Sequence, residues 1–488
     1  MPYRDSSTVR LLLVAALVLV LAGCDALTDG PDQDPNANTE ARGDLLFNGA
    51  SAGIIMFQES NLARIASIFA NQTSGEDRQY SRMNRYQVNS SDFDNMWSVG
   101  YADVLNELGQ AKQQARATNM TVLLNLSKIL EAQTFATLAA LFGDVPFSEI
   151  NQGRDNLNPQ FDSQADIYAA IQDSLSDAIA GLEAYVDDPD APGLDLAFGD
   201  SELDIYYGGD LTRWIELANT LKARYYLHTG DYADAVAAAE AGISSPEGNM
   251  IAPHGTAFGV DANLWWNFAL QRGGYLQAGD AHAPRLLDAE SERYRGNDKT
   301  DETARFLSYY GGFGSSTYNI EFAPAFGGAA GDTDYPIVRY AENELIRAEA
   351  LLQSEGAAAF DEALAALNNA RAANEAYYAT LAGLEDDGFY QAYDAADFAA
   401  GGLAADVPAG VSATPENALL TEVLEEKYLT LIGNIEAFND VRRTDNFLEV
   451  PLKEGASSLP QRFPYAQIEL SANENAPEPP SVSTPTPV

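Results

Sequence analysis

Trp265, Trp266, Phe268, Tyr275, Phe306, Tyr309, Tyr310, Phe313, Tyr318, Phe322 and Phe326 crowd one stretch of this chain, interleaved with Gly273-Gly274, Gly311-Gly312 and Gly327-Gly328. A sugar ring presents an apolar C–H face and a rim of hydroxyls. A flat aromatic ring can stack on the face while Asn, Asp, Glu or Arg bond the rim. Rings on glycine-hinged loops suit that chemistry, which makes Trp265, Trp266, Tyr275, Tyr309, Tyr310 and Tyr318 the candidate ligand contacts, with Tyr206 and Tyr207 beside Gly208-Gly209 as weaker ones. In an extended segment Trp265 and Trp266 would face opposite ways, so at most one would reach a ligand. The alternative is that these rings fill a core beneath the stretch.

Catalytic chemistry has little support. There is no Gly-x-Ser-x-Gly, His-Glu-x-x-His or Walker-type lysine loop, and the three histidines (His228, His254, His282) are scattered. With Asp and Glu numbering 72, a carboxylate pair for glycoside hydrolysis cannot be singled out, and a surface glycoside hydrolase stays an alternative. The acidic stretch from Asp187 to Asp204 lacks EF-hand spacing and reads as a solvated loop rather than a calcium site. No metal and no cofactor is expected.

The formal charge is −44, and removal of a leader carrying Arg4, Arg10 and Asp5 leaves −45. So acidic a surface argues against nucleic acid, which demands clustered Lys and Arg. It fits adaptation to high salt, where repulsion between carboxylates is screened within about 3 Å at 1 M. A solvated acidic face is the plainer alternative.

The elements that must position these residues are helical. Apolar periodicity predicts helices over 50–70, 91–117, 120–142, 163–185, 211–229, 231–244, 340–354, 359–379 and 415–444. Ala341, Leu345, Ala348 and Leu352 share one face, with Glu342, Asn343 and Glu349 pointing elsewhere. Phe360, Ala363, Leu364, Leu367 and Ala370 form a matching stripe beyond Gly356, as two antiparallel helices need. Tyr226, Gly230, Tyr232 and Ala235 resemble the turn of a tetratricopeptide repeat. The fold class is therefore mainly α, a scaffold of degenerate helical hairpins with long irregular insertions at about 245–335 and 381–412. A helical-repeat scaffold for outer-membrane assembly is one function such an array would serve.

At the N-terminus Arg4 and Arg10 precede an apolar run, Leu11 to Leu21, too short for the roughly 20 residues that span a bilayer. Leu21-Ala22-Gly23-Cys24 follows, closely resembling the lipobox of bacterial lipoproteins, with Cys24 the only cysteine. That resemblance implies cleavage before Cys24 and its lipidation, with 1–23 as signal peptide; an ordinary signal peptide is the alternative. Residues 24–42, rich in Asp, Asn, Pro and Gly, read as a flexible tether of roughly 20–25 Å. Asp25, Asp29, Asp32 and Asp34 resemble acidic surface-export signals of some Bacteroidetes lipoproteins, or simply solubilise the tether. Residues 43–475 are expected to form one domain, and the Pro/Ser/Thr-rich tail 476–488 to be disordered.

Several motifs recur in a telling order. Leu141 to Phe147 contains Gly143, Asp144 and Pro146, and Trp214 to Arg224 contains Asn219. Glu426-Lys427-Tyr428-Leu429 precedes Glu436 to Arg443, with Asp440, Arg442 and Arg443, and Leu459 to Tyr465 carries Arg462, with Glu469 and Asn473 beyond. Their order and spacing after a lipobox closely resemble the SusD/RagB family of outer-membrane lipoproteins, over essentially the whole mature chain. Tyr465-Ala466 departs from the family's frequent Tyr-Pro.

The resemblance implies a surface-exposed, lipid-anchored lid on a SusC-like TonB-dependent outer-membrane transporter. Such proteins capture a glycan or peptide ligand for nutrient uptake and are not enzymes. Glu436, Asp440, Arg442 and Arg443 lie at helical spacing. They read either as ligand contacts or, better, as an ion-pair network fixing the last helix against Arg462 and Glu469. Gly143, Asp144 and Pro146 read as a helix stop, and Asn219 and Arg224 as buried polar tethers.

Overall fold

The computed structural model describes residues 41–152, 156–188, 198, 201–315, 317–385, 388–403 and 407–488. The expected leader, Cys24 and almost all of the tether lie outside the described residues, as does most of the acidic loop after Asp188. No helix among the described residues is long and apolar enough to cross a membrane.

The body is mostly helical and built from stacked hairpins. Its main helices are α1 (Gly43–Glu59), α2 (Asn61–Phe69), α3 (Asn106–Thr118), α4 (Thr121–Phe142), α5 (Gln164–Val186), α6 (Leu211–Thr229) and α7 (Tyr232–Glu240). After the insertion come α11 (Tyr340–Glu355), α12 (Phe360–Ala382), α13 (Pro415–Thr430), α14 (Glu436–Arg443) and α15 (Gln467–Ala472). In chain order α4 packs on α5, α5 on α6, α6 on α7, α7 on α11, and α11 on α12 and α13. Each hairpin thus buries its stripe against the next, as in a solenoid.

Local chemistry sets the ends of these helices. Asp210 caps α6, accepting from Thr212 N at 3.0 Å and Arg213 N at 3.3 Å, and Gly230 stops it in the left-handed region at φ 78°. Ser163 caps α5 through Asp166 N. The two predicted stripes of α11 and α12 meet in one apolar cluster with Leu419 and Val423 of α13. The polar residues of α11 expected to point elsewhere do leave that stripe, but not for water. Glu342, Asn343 and Glu349 are all buried, because α6, α7 and α14 cover the rest of the helix.

The stretch 245–335 is not free of helix. It contains α8 (Leu264–Gln271), α9 (Ala283–Leu287) and α10 (Thr303–Tyr309). At five to eight residues these are too short to show an apolar period. An antiparallel ladder of Met250–Ala252 with Tyr335–Val338 ties its two ends together. A second ladder, Ser74–Gly75 with Leu276–Gln277, ties its middle to the turn after α2.

That turn is gripped from many directions. Gln72 donates to Tyr428 O at 2.8 Å, accepts from Gly433 N at 3.2 Å, and its carbonyl accepts the Tyr310 hydroxyl at 2.9 Å. Tyr428 Oη donates to Ala70 O, Asn71 Nδ2 to Pro451 O, and Lys453 Nζ to Thr73 O.

The tail, expected to be disordered, runs back over the body instead. Gln461 N donates to Val482 O at 2.7 Å and Val488 N to Gln164 Oε1 at 2.8 Å.

Candidate functional site

The candidate aromatic contacts are largely core residues. Trp265, Trp266, Tyr309, Tyr310 and Tyr318 are each less than a tenth exposed, and Tyr275 is half-buried. Their expected exposure on glycine-hinged loops is corrected for a specific reason. Asn263 caps α8, accepting from Trp265 N at 3.0 Å and Trp266 N at 3.1 Å, so the two indoles sit on a helix, not an extended strand. Helical spacing lets both turn inward. Trp265 stacks on Phe326 with centroids 4.5 Å apart. Trp266 lies against Gly327 and Gly331. A Cβ on Gly331, at φ 79°, would stand 2.6 Å from Trp266 Cε3, and one on Gly327 2.5 Å from Trp266 Cβ, so these two glycines serve close packing rather than hinging.

The tyrosines are committed as well. Tyr309 packs edge-on to Phe326 and Tyr378, Tyr310 bonds Gln72 O, and Tyr318 Oη donates to Asp288 Oδ2 at 2.9 Å. Tyr275 meets Phe268 edge to face. The weaker pair, Tyr206 and Tyr207, donate to Ser51 O and Gly248 O.

The polar motif residues turn inward too. Gly143, at φ 80°, ends α4 beneath the Arg462 guanidinium, which lies 5.0 Å from the Tyr465 ring. Asp144 accepts from Gln164 N, Pro146 sits in a two-residue ladder with Phe161, and Asn219 bonds Ile215 O within its own helix. Arg224 forms paired 2.7 Å bonds with Glu342. Glu436 accepts from His228 Nε2 at 2.9 Å. Burial opposes its charge, but His228 and Arg224 hold the carboxyl far below the usual range. Asp440 bonds Arg443 and Lys427, and Arg443 continues to Glu349 in paired 2.6 Å bonds. Arg442 donates to Ala140 O and Gln461 O, and burial lowers its pKa to about 10. Glu469 accepts from Trp97 Nε1 and Asn473 Nδ2. An ion-pair network does fix α14, but its partners are α6, α11 and α13 rather than Arg462 and Glu469.

An open space lies on the flank of the insertion. A cavity of about 410 Å³ is lined by Arg285, Asp288, Glu290, Ser291, Glu292, Arg293, Gly314, Ser315 and Tyr318. A second, of about 230 Å³, is lined by Asn71, Asp280, Ala281, His282, Arg285, Arg293 and Pro451 to Glu454. Arg285 and Arg293 line both, so the two spaces adjoin at these arginines and together make up the groove.

Its walls are anchored by the gripped turn. His282 N and Ala283 N donate to Asn71 O, which sets α9 and Arg285. Arg295 N returns to Leu286 O, folding the turn that carries Arg293 back over α9. Lys453 Nζ reaches Asp280 Oδ1 at 2.9 Å, and Asp280 also accepts from Ser74 and from Asn84 at 2.9 Å. Burial opposes ionisation of Asp280, yet Lys453 and these donors hold its carboxyl below the usual range. Burial first, then the nearby Arg293, Arg285 and Lys453, push His282 down to about 4, so its imidazole is neutral at ordinary pH. Burial also raises Tyr318 to about 12, aided by Asp288.

Chemically the groove is a binding surface of cationic donors and carboxylate acceptors. Sequence reasoning missed Arg285, Arg293, His282 and Lys453. The available signal was Arg285, Arg293 and Arg295 within eleven residues of a chain with only 28 Lys and Arg. Among the described residues no group of three or more His, Cys, Asp or Glu is placed to hold a metal ion.

Comparison with known proteins follows the same direction. A SusD-like family model, described as starch-binding and associating with the outer membrane, matches residues 35–466. The chain is similar in structure to a SusD/RagB family protein from Bacteroides thetaiotaomicron, with TM-score 0.64, 20% identity, and 89% of this chain and 95% of that one covered. A SusD homolog from Bacteroides fragilis gives TM-score 0.61 at 19% identity, over 89% of this chain and 94% of that one. A chitin-binding SusD homolog from Flavobacterium johnsoniae gives 0.59 at 15% identity, over 87% and 93%. At these identities the likeness is one of fold. No curated protein matches the chain.

Proposed function

We propose that this chain, which belongs to the SusD-like family of starch-binding proteins associating with the outer membrane, is a lipid-anchored surface lipoprotein that captures a glycan and hands it to a SusC-like TonB-dependent transporter. The family match over residues 35–466 carries the reading. Two further observations support it. Cys24 stands at a lipobox position ahead of a tether-like stretch, which would hold the body beside a membrane partner. The groove offers guanidinium donors and carboxylate acceptors on one wall, the complement of a sugar's hydroxyl rim.

Binding rather than catalysis is the proposed role. The groove's histidine is held neutral by burial and neighbouring cations, and Asp288 is committed to Tyr318 and to backbone N–H groups.

Pull-down of the lipidated protein from native membranes should recover a TonB-dependent barrel. Calorimetry of the soluble body, residues 43–488, against a panel of oligosaccharides should find a binder that is not hydrolysed. Recovery of no barrel would remove the delivery role, and product release at enzymatic rates would replace binding by hydrolysis.

A further inference from the structure

The geometry points to a glycan that carries a carboxylate, with Arg285 and Arg293 seating a uronate group at the narrower end of the groove. This rests on the glycan-binding reading above and adds the class of sugar.

The first observation is the pairing state of the cations. Several cations elsewhere on this acidic chain pair with carboxylates: Arg82 with Asp92, Arg213 with Asp210, Lys299 with Asp394 and Asp397. Among the described residues neither the Arg285 nor the Arg293 guanidinium has a hydrogen-bond or ion-pair partner, although both line the same space. Two guanidiniums that line the same space repel one another, and a planar anion bound between them relieves that repulsion through paired N–H···O bonds.

The second observation is what lies beside them. Lys453 is buried at this end, and its charge is matched by Asp280. His282 is neutral. Asn71, with its own carboxamide oxygen buried and unpartnered, completes the lining. Glu454 is the one further carboxylate here, and it is exposed. The narrow end therefore sets Arg285 and Arg293 against Glu454 alone.

The wide end, which Arg285 and Arg293 also line, adds carboxylates. Asp288 is spent on Tyr318 Oη, Gly314 N and Glu290 N, whereas Glu290 and Glu292 are exposed on the rim. Carboxylates only accept, so they suit the hydroxyls of a neighbouring sugar and repel further anions. Together with a net charge of −44, this rim disfavours a densely sulfated polymer. A single carboxylate flanked by hydroxyl-rich neutral sugars satisfies both ends.

The test is calorimetry of the full soluble body at low and high salt. The probes are a uronate-bearing oligosaccharide, the same oligosaccharide with its carboxyl reduced to the alcohol, a sulfated oligosaccharide and an acidic peptide. The uronate form should bind at least about tenfold more tightly than its reduced form, as charge-assisted paired bonds allow. That preference should shrink with salt and vanish in R285Q/R293Q, with the melting temperature unchanged. Equal affinity for uronate and reduced forms would overturn the inference while leaving glycan binding intact. Preference for the sulfated probe or the peptide would also overturn it. Binding to no glycan at all would remove the reading on which it rests.

Discussion

Arg224 on α6 and Glu342 on α11 meet in two 2.7 Å hydrogen bonds, both side chains almost wholly buried, with Glu436 of α14 3.9 Å from the same guanidinium. One ion pair thus ties three helices that are distant in sequence. Removing one partner strands the other as an unpaired buried charge, which costs about 3–5 kcal/mol. Arg224→Ala should therefore lower unfolding free energy by that amount in urea titrations. R224M/E342L should recover part of it, because Glu342 is no longer stranded while Glu436 keeps His228 as its partner.

Glu425 supplies a pH dependence. Burial, with Glu422 and Glu302 nearby, raises it to about 7 despite Arg295 at 2.8 Å. Arg295 is already shared with Glu302, Glu422 and Glu426, so it cannot fully compensate a fourth carboxylate. A carboxyl raised on folding adds stability below its unfolded value near 4.5, and that stability is lost as pH rises through about 7. Wild-type unfolding free energy should fall by roughly 1–3 kcal/mol more than that of E425Q between pH 5 and pH 8. Parallel pH profiles for the two proteins would refute the assignment.

The buried rings predict a clear separation. Trp265→Ala should cost about 3–5 kcal/mol of stability, since it empties the stack on Phe326. Phe313→Ala and Phe322→Ala, whose rings are 42% and 52% exposed, should change stability by less than about 0.5 kcal/mol. Differential scanning calorimetry of the three variants decides the matter.

Gly331 offers a backbone test of the same packing. Gly331→Ala combines a left-handed φ with a contact 2.6 Å from Trp266, and should lower the melting temperature by several degrees. Reducing the indole's bulk in G331A/W266L should not restore it fully, because the strained φ remains.

The hairpins were legible in the sequence because they are long and periodic. The predicted 211–229 matches α6, and 340–354 and 359–379 match α11 and α12 within three residues. The motif order pointed to the SusD/RagB family, and Glu436, Asp440 and Arg443 do form buried ion pairs, though with His228, Lys427 and Glu349 rather than with Arg462 and Glu469. The insertion was misread because its helices are short and because glycine next to an aromatic residue signals close packing as readily as a hinge. Trp266 on Gly331 shows the former. The groove was invisible for another reason. Arg285, Arg293 and Lys453 come from segments up to 168 residues apart, and the turn at Asn71 is bonded to both segments.

That turn has a consequence for how the chain acquires its structure. Residues 70–75 are held by Tyr310, Tyr428, Gly433, Pro451 and Lys453, so the first third of the chain waits on the last for its partners. Contacts of such long sequence separation carry a large loop-closure cost before any reward, which slows folding. A nascent chain lacking residues beyond about 420 would have α2 and its turn without their clasps. Truncation there should leave not a smaller folded body but one that cannot close, and the binding groove would be among the last features to form.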